Sequence, residues 1–233
     1  MALAVIGGSF GFVEGAVVVY LRELSCPAGF QFPLVPLPPR VLATEVAREA
    51  ATIALLLGVA FACAREGFRR FAVFAFSFGV WDLAYYATLK AVLGWPQGWL
   101  TWDVLFLIPA AWSGPILAPV LVSVALVVAS ALLLSLPPGV RAPLRLRDWL
   151  LQAAAGLLIV LSFLWNAPQV AAGSVPGPFP WWLLGGALIG GVAGFGRRWA
   201  KREGRLGQGT RDGLARAGYG SEASEPSQSR GTP

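Results

Sequence analysis

Long apolar runs separated by short arginine clusters are the dominant pattern of this chain. Six stretches stand out, at residues 3–21, 41–64, 71–93, 114–134, 149–165 and 181–196. Each approaches or reaches the roughly 17–25 residues that cross a bilayer as a helix. The alternating segments of about ten residues that a transmembrane β-barrel needs are absent. The pattern predicts an all-α fold, a polytopic transmembrane helical bundle of about six spans. Residues 1–200 form the integral membrane domain. Residues 201–233 are polar and poor in aromatics, and read as a disordered basic cytoplasmic tail.

The polar positions inside these runs are periodic. In span 1, Gly7, Gly11 and Gly15 form one smooth face where another backbone can approach, with Glu14 beside it. Span 2 opens with Glu45, Arg48, Glu49 and Thr52, spaced i, i+3, i+4, i+7 on one stripe. Span 3 carries Asp82, Tyr86 and Lys90 on a single face, with Tyr85 adjacent. Gly186, Gly190 and Gly194 make a second ladder in span 6, expected to pack within the chain.

Proline interrupts the pattern twice. The segment 25–39 is too proline-rich to be helical through most of its length. Residues 103–134 carry no charge after Asp103. As one straight helix they would reach about 48 Å, against about 30 Å of hydrocarbon. Pro109, Pro115 and Pro119 resolve the excess. The expectation is a short helix or re-entrant segment over residues 102–108, a break over 109–115, and then span 4.

Composition agrees with the pattern: 56% of residues are hydrophobic and 13% charged, against about 25% charged in soluble domains. A net charge of +6 would admit nucleic acid as a partner, but the arginines sit at the ends of apolar runs without interleaved aromatics. No nucleic acid is expected; the first partner is the lipid bilayer. Under the positive-inside rule Arg65, Arg69 and Arg70, then Arg141, Arg145 and Arg147, then residues 197–205 are cytoplasmic. Both termini then lie inside. Trp95, Trp99, Trp102, Trp165, Trp181 and Trp182 fall at the outer interface. No basic residue precedes the first apolar run, which reads as a span and not a cleaved leader. The alanine, glycine and arginine bias points to a bacterial inner membrane.

Histidine is absent, which removes histidine bases and histidine-ligated haem or zinc. Cys26 and Cys63 form no metal motif and fall on opposite sides of the membrane. No metal or cofactor is expected.

With that topology, charges from four segments meet at one level in the outer half of the bilayer. The candidate ligand- or proton-binding residues are Glu14, Glu45, Arg48, Glu49, Asp82, Tyr85, Tyr86, Lys90, Trp102 and Asp103. A charge at membrane depth costs roughly 2.5–3.5 kcal/mol on insertion scales, so such a cluster needs a reason. It fits a proton-linked carrier, a site for a hard cation, or a site for an anionic head group held by Arg48 and Lys90. The structural reading, slightly ahead, pairs Arg48 with Glu14, Glu45 or Glu49, and Lys90 with Asp82 or Asp103, to fix helix register. The leading functional reading is a small transporter or ligand-binding membrane protein with an outward-facing charged pocket. Its rivals are a non-catalytic subunit or assembly factor of a membrane complex, or a membrane-embedded enzyme acting on a lipid or isoprenoid. A membrane-protein partner or a homo-oligomer is compatible with each.

Overall fold

The computed structural model describes residues 1–26, 29–137, 140 and 144–219, with side chains as far as residue 202. Helices α1 (Ala2–Ser25), α2 (Pro39–Cys63) and α3 (Gly67–Leu93) come first. A two-stranded hairpin follows, β1 (Trp102–Phe106) and β2 (Trp112–Pro115). Then come α4 (Leu117–Leu134), α5 (Leu146–Leu164), the short α6 (Ala167–Ala171) and α7 (Trp181–Tyr219). Among the described residues five helical segments are long and apolar enough to cross a membrane: α1, α2, α3, α4 and the stretch Leu146–Ala171. The expected sixth span lies in α7, whose apolar part has 16 residues before Arg197. α7 is helical to Tyr219 and so continues into the stretch read as tail. Arg141 and residues 220–233 lie outside the described residues.

The helix ends follow local chemistry. Pro39 stands at the start of α2, where its missing N–H costs no helical hydrogen bond. α3 stops at Gly94, whose φ of 64° is left-handed and suits glycine. The Asp148 carboxylate accepts the Arg145 N–H at 2.8 Å and closes the first turn of α5.

Of the two expectations over residues 102–108, a short helix or a re-entrant segment, the hairpin overturns the helix. Trp102 to Phe106 pair antiparallel with Trp112 to Pro115, with an irregularity between Val104 and Phe106. Tryptophan, valine and phenylalanine favour a pleated strand, and Pro109 falls in the turn. A short apolar run does not distinguish helix from strand by periodicity, which is why the sequence misled. The flanking amides find partners: Ile116 N donates to Thr101 O at 3.0 Å and Leu117 N to Trp99 O at 2.9 Å.

α3 is the central helix, with α1, α2 and α4 packed on it. The first glycine ladder makes this possible. A Cβ at Gly11 would collide with Trp81 O, and one at Gly7 would stand 3.0 Å from Ser77 O. Gly15 meets Thr88 in the same way, and Gly79 brings α3 against Ser123 O of α4. α5 and α7 pair with each other and contact α4 and β2, and Trp149 of α5 packs edge-on against Phe71 of α3. The second ladder behaves differently from expectation. Gly194 packs on Leu151, whereas nothing lies within 4 Å of a Cβ at Gly186 or Gly190.

The two ends of the bundle differ. At one, Arg69 donates to Leu136 O and Pro137 O, at 2.6 and 2.7 Å, and Arg198 pairs with Asp148 at 2.8 Å. At the other, aromatic pairs accumulate: Trp95 with Phe30, Trp102 with Phe179, and Trp165 with Trp182. Cys26, just after α1, and Cys63, the last residue of α2, are both free.

Candidate functional site: an acidic cavity within the bundle

A cavity of about 160 Å³ lies at the aromatic end, between α1, α2, α3 and β1. Its lining includes Glu14, Glu45, Arg48, Glu49, Asp82, Tyr85, Tyr86 and Asp103, eight of the ten residues singled out in the sequence. The helical stripe of α2 turns Glu45, Arg48, Glu49 and Thr52 to one side. Glu14, one residue from the packed Gly15, is 6% exposed.

Two arginines organise the polar wall. Arg48 forms an ion pair with Glu14 through Nη1, and donates to Glu45 Oε2 through Nη2 at 2.7 Å and Nε at 3.0 Å. Thr52 Oγ1 lies 3.2 Å from Glu14 Oε2 and 3.0 Å from Arg48 O and shares its one hydroxyl proton between them, which joins α1 to α2. Arg22, near the end of α1, donates to Asp103 Oδ1 at 2.8 Å. Its guanidinium lies 3.7 Å from the Trp95 ring centre and 4.4 Å from that of Phe30. Aromatic faces on a buried guanidinium recover part of its lost hydration. Asp103 Oδ1 also accepts the Val104 N–H at 2.9 Å.

The remaining carboxylates use neutral donors. Glu49 Oε2 accepts the Leu107 N–H at 2.8 Å, tying α2 to the end of β1. Asp82 Oδ2 accepts the Ser123 hydroxyl at 2.8 Å, tying α3 to α4. Among the described residues neither Glu49 nor Asp82 forms an ion pair. Five carboxylates thus face two guanidinium groups, both already engaged. Unpaired charge in such surroundings attracts the opposite charge or takes up a proton.

Lys90 and Trp102 are corrections to the expected site. Lys90 donates to Gly94 O at 3.1 Å and Pro96 O at 2.8 Å, closing the end of α3 on the exposed side. It therefore pairs with neither Asp82 nor Asp103. Trp102 packs edge-on against Phe32 and Phe179 and does not line the cavity. Arg48 takes two of its three expected partners by ion pairing, Glu14 and Glu45.

Arg22 is a functional candidate that the sequence reading did not single out. The signal was present: Glu14, Val18 and Arg22 repeat at i, i+4, i+8, and all three line the cavity. Arg22 Nη1 has no hydrogen-bond partner among the described residues and offers a donor there.

Among the described residues no three or more acids or cysteines converge as metal ligands would, so the hard-cation reading gains no geometric support. Comparison with family models, curated proteins and solved structures finds no match to the chain.

Proposed function

We propose that this chain is a small membrane transporter that binds an organic cation in an outward-facing acidic cavity and exchanges it with protons. The observation that carries the reading is the surplus of acids in the cavity wall, Glu14, Glu45, Glu49, Asp82 and Asp103 against Arg22 and Arg48. An anionic ligand would meet two arginines already neutralised and further carboxylates. A cation would meet Asp82 and Glu49 without cationic partners, and the aromatic faces of Trp81, Tyr85 and Tyr86. Where protons occupy the carboxylates the attraction is lost, so cation and proton compete for one set of oxygens.

The reading includes a topology of six spans, with α7 as the sixth, both termini cytoplasmic, and a bacterial inner membrane as the location. It is supported by the clusters of arginine gathered at one end of the bundle. A membrane-impermeant maleimide added outside intact cells is expected to label Cys26 and to reach Cys63 only after permeabilisation. The opposite order would invert the cavity.

Proteoliposomes with an internal pH dye test the function. An inward gradient of tetramethylammonium or choline is expected to drive proton efflux, abolished by Glu14→Gln and by Asp82→Asn. Efflux absent with both cations, or unchanged in both variants, would contradict the reading.

A further inference from the structure

A second cavity, much larger than the first, separates α3 and α4 from α5 and α7. Its volume is about 1170 Å³ and its walls are almost wholly apolar. Phe78, Val124, Ile159 and Leu188 are representative lining residues, and exposed Val128 and Val192 show that it opens on the flank of the bundle. One residue breaks the pattern. Among the described residues Asp82 is the sole ionisable side chain lining the cleft, and it also lines the acidic cavity. Leu105 and Phe106 of β1 are the other two residues common to both. Ser123, which donates to Asp82, lies on the cleft side. The charged chamber and the hydrocarbon-like one therefore share a wall of three side chains, with a carboxylate in it.

From this juxtaposition we infer that the ligand is an amphiphile, with a cationic head at Asp82 and the acidic cavity and a long hydrocarbon chain in the cleft. The inference rests on the proposed cation site and names the kind of cation it takes. Charge complementarity decides the occupant. An anionic phospholipid head would be driven against Asp82 and the four carboxylates behind it, and a zwitterionic one would carry its phosphate there as well. A primary or quaternary amine brings only the sign the site lacks. The chain itself gains little from moving between bilayer and cleft, because both are apolar. Selectivity must then come from the head, and Asp82 is the group that supplies it.

Tryptophan quenching in nanodiscs tests this with the full chain, since Trp112 and Trp149 line the cleft. Three probes brominated in mid-chain are compared at equal mole fraction: a long-chain primary amine, the alcohol of the same length, and phosphatidylcholine. The amine is expected to quench at the lowest mole fraction. Asp82→Asn should lower its apparent affinity about tenfold or more, as for truncation of one partner of a buried charge pair. Gly156→Phe serves as the second variant, because Gly156 lines the cleft and nothing lies within 4 Å of its Cβ position. It should weaken the quenching by narrowing the cleft, with Asp82 intact. Equal quenching by all three probes would mean that bulk lipid fills the cleft, and would overturn the inference. So would quenching by none, which would mean that the cleft is closed or occupied by a protein partner. Binding of tetramethylammonium without preferential quenching by the amine would sink the amphiphile alone and leave the cation site standing.

Discussion

The α1–α3 interface and the α5–α7 pair use the same small residue at similar spacing, to different ends. Along α1 each of Gly7, Gly11 and Gly15 lies against α3, with peptide oxygens or Thr88 where a side chain would stand. Along α7 the ladder is only partly used: Gly194 meets α5, as does the neighbouring Gly191, whereas Gly186 and Gly190 meet nothing among the described residues. The first arrangement sets α1 directly on α3, and Glu14 of α1 reaches Arg48 and Thr52 of α2. The second leaves α5 and α7 beside a cleft, in contact with α4 and the hairpin. A glycine repeat signals that close approach is possible, and polar groups across the contact decide whether it matters.

The comparison is broken most severely at Arg48. Arg48→Met strands Glu14 and Glu45 in the cavity wall, and a loss of about 3–5 kcal/mol is expected, as for removal of one partner from a buried ion pair. Adding Glu14→Gln and Glu45→Gln should recover much of it, because the stranded charges go too. Unfolding free energies in bicelles check both statements. The next effect separates the two ladders. Gly11→Leu puts a Cβ into Trp81 O and should cost about 3 kcal/mol or more, whereas Gly190→Leu should stay within about 0.5 kcal/mol. Similar unfolding for the two variants would erase the distinction between the interfaces. The smallest effect is at Lys90, whose ammonium holds two exposed carbonyls. Lys90→Gln should cost about 1 kcal/mol or less and leave ligand binding unchanged.

Much of the helical layout was legible in the chain. Apolar length alone located five helical segments able to span a bilayer, and the α2 stripe foretold which side Glu45, Arg48 and Glu49 would face. Two features were not legible. The hairpin at Trp102 to Pro115 was hidden because a five-residue apolar run carries no decisive period, and its pairing depends on Leu107, Ile116 and Leu117 finding partners elsewhere. The partner of Asp103 was hidden because helix spacing places charges on a face but does not say how far a side chain reaches. Lys90 shares the α3 face with Asp82, yet turns along its own helix to the carbonyls that α3 leaves free at its end. Arg22, three residues from the end of α1, reaches Asp103 instead. Net charge at one level was readable, but the choice of partners was not.

The central claim is that the acid surplus between α1, α2, α3 and β1 is a cation site. Titration of the purified protein in nanodiscs with choline, followed by intrinsic fluorescence at mildly acidic and mildly alkaline pH, tests it most directly. Saturable binding that strengthens at alkaline pH, is lost in Asp82→Asn and survives in Lys90→Gln is the expected result. Absence of saturable binding at either pH, or binding indifferent to Asp82→Asn, would contradict it.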